Sequence, residues 1–277
     1  MHYNTRIINY PNGEIQIRKY SEIMFLKDIP FDEPNKLLKF QTAYENKQLT
    51  NPFDGKVTRE IFDFETFESD QLKNKFRSWN RMKQKIFSFS RCCEWEYFIT
   101  LTFDPKKIDS MDFSVCSKFV RKWLNNQKNR FAPNLKYLIV PEQHKLGGWH
   151  FHGLLADTGS IVFTDSLHKT KSGDIIYNMS KYTYGFTTAT KVKDIHKVGK
   201  YICKYITKSL TDTLVGKHRY FASSNIPLPT SIILFLEDDE FNDYLSMFSD
   251  SVGKGVVRIS ETGDDKSFTK VKYVELV

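Results

Sequence analysis

The chain has 277 residues, is 40% apolar and 15% aromatic, and carries a net charge of +8 with a pI of about 9.1. That supports one large domain, or a domain with appendages, around a real core, and a basic balance favours an anionic partner such as nucleic acid or a membrane surface. The absence of an apolar run near about 18 residues argues against a membrane span, and no C-x-x-C pair or G-x-x-x-x-G-K-[ST] appears, which argues against a zinc module and a P-loop motor.

Cys92, Cys93, Cys116 and Cys203 show no disulfide spacing, so the chain reads as reduced and cytoplasmic. The charge is uneven. Residues 231–277 hold ten acids against five bases, so residues 1–230 carry +13.

In chain order, Ile7–Tyr10 and Glu14–Ile17 flank Pro11-Asn12-Gly13 and read as a hairpin. Residues 51–55 read as a turn. Residues 70–91 read as a helix with Leu72, Phe76, Trp79, Met82, Ile86 and Phe89 on one side and bases on the others. The β-branched and aromatic run Tyr97–Phe103 is a strand closed by Asp104-Pro105. A helix is expected over Asp112–Arg130. Strands are expected over Lys136–Glu142 and Trp149–Ala156, joined by a short loop as an antiparallel hairpin. Strand-like pieces follow at 174–179 and 184–190, and then a basic helix at about 194–209. Residues 231–248 read as a last apolar helix. The order implies an α+β domain, an antiparallel sheet with helices on one face. The division read here is an N-terminal extension (1–69), a central domain (70–230) and an acidic C-terminal segment (231–277).

Two segments carry chemistry. In Trp149-His150-Phe151-His152-Gly153, strand alternation puts His150 and His152 on one face, roughly 6–7 Å apart along the strand, a spacing that suits two ligands of one divalent ion. Gly147, Gly148 and Gly153 leave room for another backbone or a ligand. Glu142 ends the neighbouring strand and is the first choice for a third ligand, with Gln143 and His144 as alternatives. An N/O site without thiolate suits Mg²⁺ or Mn²⁺ acting as a Lewis acid on a phosphate.

The second segment is Tyr201-Ile202-Cys203-Lys204-Tyr205-Ile206-Thr207-Lys208. On a helix Tyr201 and Tyr205 stack about 6 Å apart along the axis, among Lys197, Lys200, Lys204 and Lys208. An unassisted phenol titrates near 10. A polarised phosphate and the ammonium of Lys204 are the help that an attacking tyrosine needs.

These residues resemble the rolling-circle replication initiators of the HUH endonuclease superfamily. Three motifs carry the resemblance in order: Phe98-Ile99-Thr100-Leu101-Thr102-Phe103, His150-Phe151-His152, and the Y-x-x-K-Y pattern of Tyr201 to Tyr205. Val140 to Trp149 and Arg219-Tyr220-Phe221-Ala222-Ser223 add to it, over roughly residues 75–225. The resemblance implies a central five-stranded antiparallel sheet with the histidine strand at its centre and flanking helices. It implies His150 and His152 as metal ligands, with Glu142 the best third. It implies a tyrosine that nicks one strand at an origin, stays joined to the 5′-phosphate and leaves a 3′-hydroxyl primer. Tyr205 is the first choice for initiation, and Tyr201 then serves termination. Lys197, Lys200, Lys208 and Arg219 are the candidate DNA contacts, single-stranded origin DNA the partner, and a bacterial cytoplasm with a host helicase the setting. A transposase or relaxase of the same superfamily, a non-catalytic DNA-binding repressor and a small-molecule hydrolase are the competing readings.

Overall fold

The computed structural model describes residues 2–25, 48–50, 57–59, 78, 81–208, 219–252, 256–262 and 270–276. In chain order the elements are β1 (His2–Asn9), β2 (Ile15–Phe25), β3 (Gln48–Thr50), β4 (Val57–Arg59), α1 (residues 81–90), β5 (Tyr97–Phe103), α2 (Phe113–Arg130), β6 (Lys136–Gln143), β7 (Trp149–Ala156), β8 (Phe163–Lys169), β9 (Ile175–Met179), β10 (Gly185–Lys191), α3 (Ile195–Lys208), β11 (Phe221–Ala222), β12 (Thr230–Leu234), α4 (Asp238–Val252), β13 (Val256–Thr262) and β14 (Val271–Leu276). The turn expected at 51–55 and the start of the helix expected at 70–91 lie outside the described residues, apart from Ser78.

The class is α+β, as the sequence implies, but the sheet is not five-stranded. The main sheet has seven strands in the order β11-β6-β7-β5-β10-β9-β8. The β8–β9 hairpin extends one end, and the short strand β11 pairs with β6 at the other. The histidine strand β7 is therefore third in the order, and β5 holds the centre. The physical reason is local. Thr170–Asp174 makes a tight turn with Gly173 at φ 86°, which folds β8 back on β9.

Helices cover both faces of this sheet rather than one. On one face α2 lays Phe113, Cys116, Val120, Trp123 and Leu124 onto Ile99, Leu101, Ile139, Phe151 and Leu155, all buried. Asp112 caps α2, its carboxylate accepting from the backbone N–H of Ser114 and Val115 at 2.6 and 3.2 Å. On the other face Ile86 of α1 and Val198, Ile202 and Cys203 of α3 pack on Leu138, Val140, Leu154 and Ala156. Strands β6 and β7 can be covered twice because both of their faces are apolar over this stretch, with Leu138, Ile139 and Val140 all at 1% exposure or less.

A second, five-stranded sheet has the order β12-β1-β2-β14-β13, so the N-terminal and C-terminal segments share one ladder. The expected hairpin at Pro11-Asn12-Gly13 forms between β1 and β2, with Gly13 at φ 85°. Residues 230–234 are a strand, not the start of the last helix. The run Thr230-Ser231-Ile232-Ile233-Leu234 pairs with β1, and the helix begins only at Asp238, whose acids suit a helix N-terminus. Ile7, Ile17 and Val274 lie opposite one another in the ladder and pack with Phe241 of α4.

One buried side chain ties the terminal sheet to the main body. Arg91, in the turn after α1, is 1% exposed. Its Nε donates to Oε2 of Glu14 at 2.7 Å, and its Nη1 lies 3.3 Å from Oε1 of Glu275. The guanidinium also lies over the ring of Tyr10, 4.3 Å from the centroid.

Candidate functional site

Strand pairing decides which side chains meet. Thr102 lies opposite His150 and Thr100 opposite His152 on β5, and Glu142 lies opposite His150 on β6. Directly opposed residues point to one face, so these five side chains share it.

The two imidazoles are anchored in the same way. Nδ1 of His152 shares a hydrogen bond with Oγ1 of Thr100 at 3.0 Å, and Nδ1 of His150 with Oγ1 of Thr102 at 3.2 Å. Each ring thus has its Nδ1 engaged by a hydroxyl of β5. Nε2 of His152 already meets Oε2 of Glu142 at 2.7 Å. His152 is buried and His150 half-buried. Burial lowers the pKa of His150 from its ordinary value, nearby His144 lowers it further, and Glu142 opposes them. The net lowering favours the neutral ring, the form in which an imidazole can ligate. Among the described residues no three His, Cys, Asp or Glu side chains stand together as a ready metal cluster.

The candidates for a third ligand separate clearly. Glu142 is in contact with His152. His144 stands beside His150, with ring centroids 5.5 Å apart. Gln143 pairs with Trp149, whose ring is in the core on the opposite face, and its amide donates to the Gly147 carbonyl at 3.0 Å. The structure therefore does not bring Gln143 to the histidines. The glycines also serve other neighbours. A Cβ on Gly153 would lie 2.1 Å from Cδ1 of Ile139, so this glycine admits a core side chain rather than a ligand. Gly147, at φ 92°, has Met111 against it at the tip of the β6–β7 loop.

The tyrosine helix reaches the same face. Tyr201, 46% exposed, sets its ring against Phe98 at 5.0 Å between centroids, and Phe98 stacks on His152 at 6.1 Å. Phe98 lies two residues before Thr100 on β5, so it belongs to the face that carries the histidines. Tyr205 lies one helical turn further along α3, but its side chain and those of Lys200, Lys204 and Lys208 lie outside what the structure describes. Lys197 is at the start of α3, where its ammonium pairs with Asp194 at 3.3 Å and its backbone N–H donates to that same carboxylate. Arg219 lines an open groove of about 600 Å³ with Met82, Phe89 and Tyr220, beside edge strand β11, two strands from β7.

Sequence reasoning missed Thr100, Thr102 and Phe98 as parts of the site. The signal was present: residues 98, 100 and 102 share the two-residue period of His150 and His152. Only the pairing register says that the two sets face each other.

Residues 96–210 match a family of replication-associated proteins, described as the ORF2 type. The matched segment runs from the start of β5 through α3 and so contains the histidines, Glu142 and both tyrosines. The match is to a replication-associated family, and it supports a replication initiator. No curated protein and no solved structure matches the chain. No described helix is long and apolar enough to cross a membrane.

Proposed function

We propose that this chain is a metal-dependent nickase and strand transferase of the HUH two-tyrosine type that initiates rolling-circle DNA replication. The observation that carries this reading is the convergence of His150, His152 and Glu142 on one sheet face with Tyr201 of α3, joined to them through Phe98. The match to a replication-associated family over this segment gives it a substrate context.

By donor type, two imidazoles and a carboxylate suit a hard divalent ion such as Mg²⁺ or Mn²⁺, which the side chains would close around. With Nδ1 of each imidazole held by its threonine hydroxyl, Nε2 would be the ligating nitrogen, His152 exchanging its hydrogen bond to Glu142 for the ion, and Glu142 would supply an oxygen. A bound ion contributes Lewis-acid polarisation of the scissile phosphate. The residues of the chain do the rest. The phenolic oxygen of Tyr205, or of Tyr201, forms a bond to phosphorus as the bond from phosphorus to the 3′-oxygen breaks. The phenol gives up its proton to solvent, and the departing 3′-oxygen takes one up as the primer hydroxyl. Lys204, between the tyrosines in sequence, lowers the cost of the phenolate. The phosphotyrosine keeps the bond energy, so a later 3′-hydroxyl can reverse the step and close a circle. Lys197, Lys200, Lys208 and Arg219 hold phosphates of single-stranded origin DNA, and unwinding falls to a host helicase.

The test is covalent capture. The protein is incubated with Mn²⁺ and single-stranded oligonucleotides tiled across its own gene and flanks, then run on a denaturing gel. A protein–DNA adduct lost in Tyr201→Phe/Tyr205→Phe and in His150→Ala supports the nickase. Tight DNA binding with no adduct from any oligonucleotide replaces it with a non-catalytic repressor. Adducts confined to transposon-end or transfer-origin hairpins replace the replication role with a transposase or relaxase.

A further inference from the structure

The histidine face is covered on one side and open on the other. Helices α1 and α3 bury Leu138, Val140 and Leu154, while across β5 the outward residues of β10 are open. The row that contains His150 runs Glu142, His150, Thr102, Phe186 across four adjacent strands, each directly opposite the next. Phe186 ends this row and is 73% exposed. Phe103 and Phe151, strand phenylalanines of the same sheet, are 4% and 0% exposed. An aromatic ring standing in water on a strand forgoes burial, and one in line with a candidate phosphate site is well placed to gain it from a ligand.

Two features border the stretch of chain that carries the ring. A Cβ on Gly185 would lie 2.1 Å from the Thr102 carbonyl oxygen, so β10 presses against β5 immediately before Phe186. Nζ of the exposed Lys107 donates to the carbonyl of Thr183 at 3.2 Å, and Thr183 precedes Phe186 by three positions in the chain. Strands lie about 4.8 Å apart, so Phe186 stands about 10 Å from His150. That is a reach of a nucleotide or two along an extended strand.

We propose that Phe186 is a stacking platform for an unpaired base of single-stranded DNA, with Lys107 contacting a neighbouring phosphate. The proposal rests on the reading of the histidine face as a single-strand DNA site. The chemistry suits it: every base has a π-face, and stacking on an aromatic side chain is tolerant of sequence. Duplex DNA hides its base faces and cannot use such a platform.

The experiment uses the full chain, a fluorescein-labelled 20-mer of thymidylate and the same length of duplex. Phe186→Ala is expected to weaken single-strand binding by about fivefold or more. Phe186→Trp is expected to keep the affinity and to show tryptophan emission quenched by the 20-mer and not by the duplex, measured as a difference from wild type. Because the ring is exposed, thermal melting of both variants stays with wild type. Affinity of Phe186→Ala within about twofold of wild type overturns the platform, as does an unquenched difference signal from Phe186→Trp in a complex that forms. Covalent adducts with an inert Phe186 leave the nickase standing and remove only the platform. Failure of the wild type to bind single strands removes both. Quenching without any adduct keeps the platform and removes the catalytic reading.

Discussion

Thr100 and His152 lie opposite each other across the β5–β7 ladder, and their side chains meet at 3.0 Å through Oγ1 and Nδ1. This contact sets which ring nitrogen faces the candidate metal position. Thr100→Val keeps the shape and removes the hydroxyl. Loss of such an outer partner is expected to weaken Mn²⁺ binding about 10- to 100-fold, read by calorimetric titration, with little change in melting temperature. Unchanged Mn²⁺ affinity would show that the threonine does not orient the ring.

The two tyrosines are expected to differ. On the proposed mechanism Tyr205→Phe should lower the rate of first adduct formation by at least about a hundredfold, because it would remove the attacking oxygen. Tyr201→Phe should leave the first adduct and lower the yield of rejoined circles. Equal loss of the first adduct in both single variants would end the division of labour.

Arg91 carries a stability prediction. It is buried with Glu14 and beside Glu275, and it joins the terminal sheet to the turn after α1. Arg91→Ala takes the guanidinium away from the buried Glu14 carboxylate. Urea denaturation should show a loss of about 3–5 kcal/mol. Lys136→Ala, which breaks the partly exposed pair with Asp157, should cost no more than about 1 kcal/mol.

Gly153→Ala should destabilise by about 1–3 kcal/mol through overpacking against Ile139. Adding Ile139→Val removes the Cδ1 that the new methyl would strike, so the double variant should recover most of the loss. Additive losses would place the strain elsewhere, for instance at the Leu138 carbonyl oxygen 3.0 Å away.

The four cysteines are buried, and burial is the largest cause of their raised pKa values: about 12 for Cys92 and Cys116, about 11 for Cys93 and Cys203. At pH 8 almost no thiolate exists in the folded chain. Iodoacetamide should label none of them within an hour in the native state and all four in denaturant, read by intact mass. Rapid native labelling of Cys203 would mean that α3 lifts from β6 on that timescale.

The amino-acid sequence determined by itself those features that depend on local period and turn chemistry. Strand alternation at 149–156 put His150 and His152 on one face, the 3.6-residue period set α2 and α3 within a residue or two, and Pro11-Asn12-Gly13 made its hairpin. The class α+β followed from the order of those elements. What only the tertiary structure decided depends on which strand pairs with which, and in what register. Nothing local tells Thr100 that His152 will stand opposite it, turns Gln143 away from the histidines, or sets Phe186 at the end of their row. The same holds for the seven-stranded sheet and for Thr230–Leu234, which became a strand because β1 offered an edge. Register is chosen by burial summed over many distant residues, among them Leu138, Leu154, Ile202 and Trp123, and a sum over distant contacts is not written at any single position of the chain.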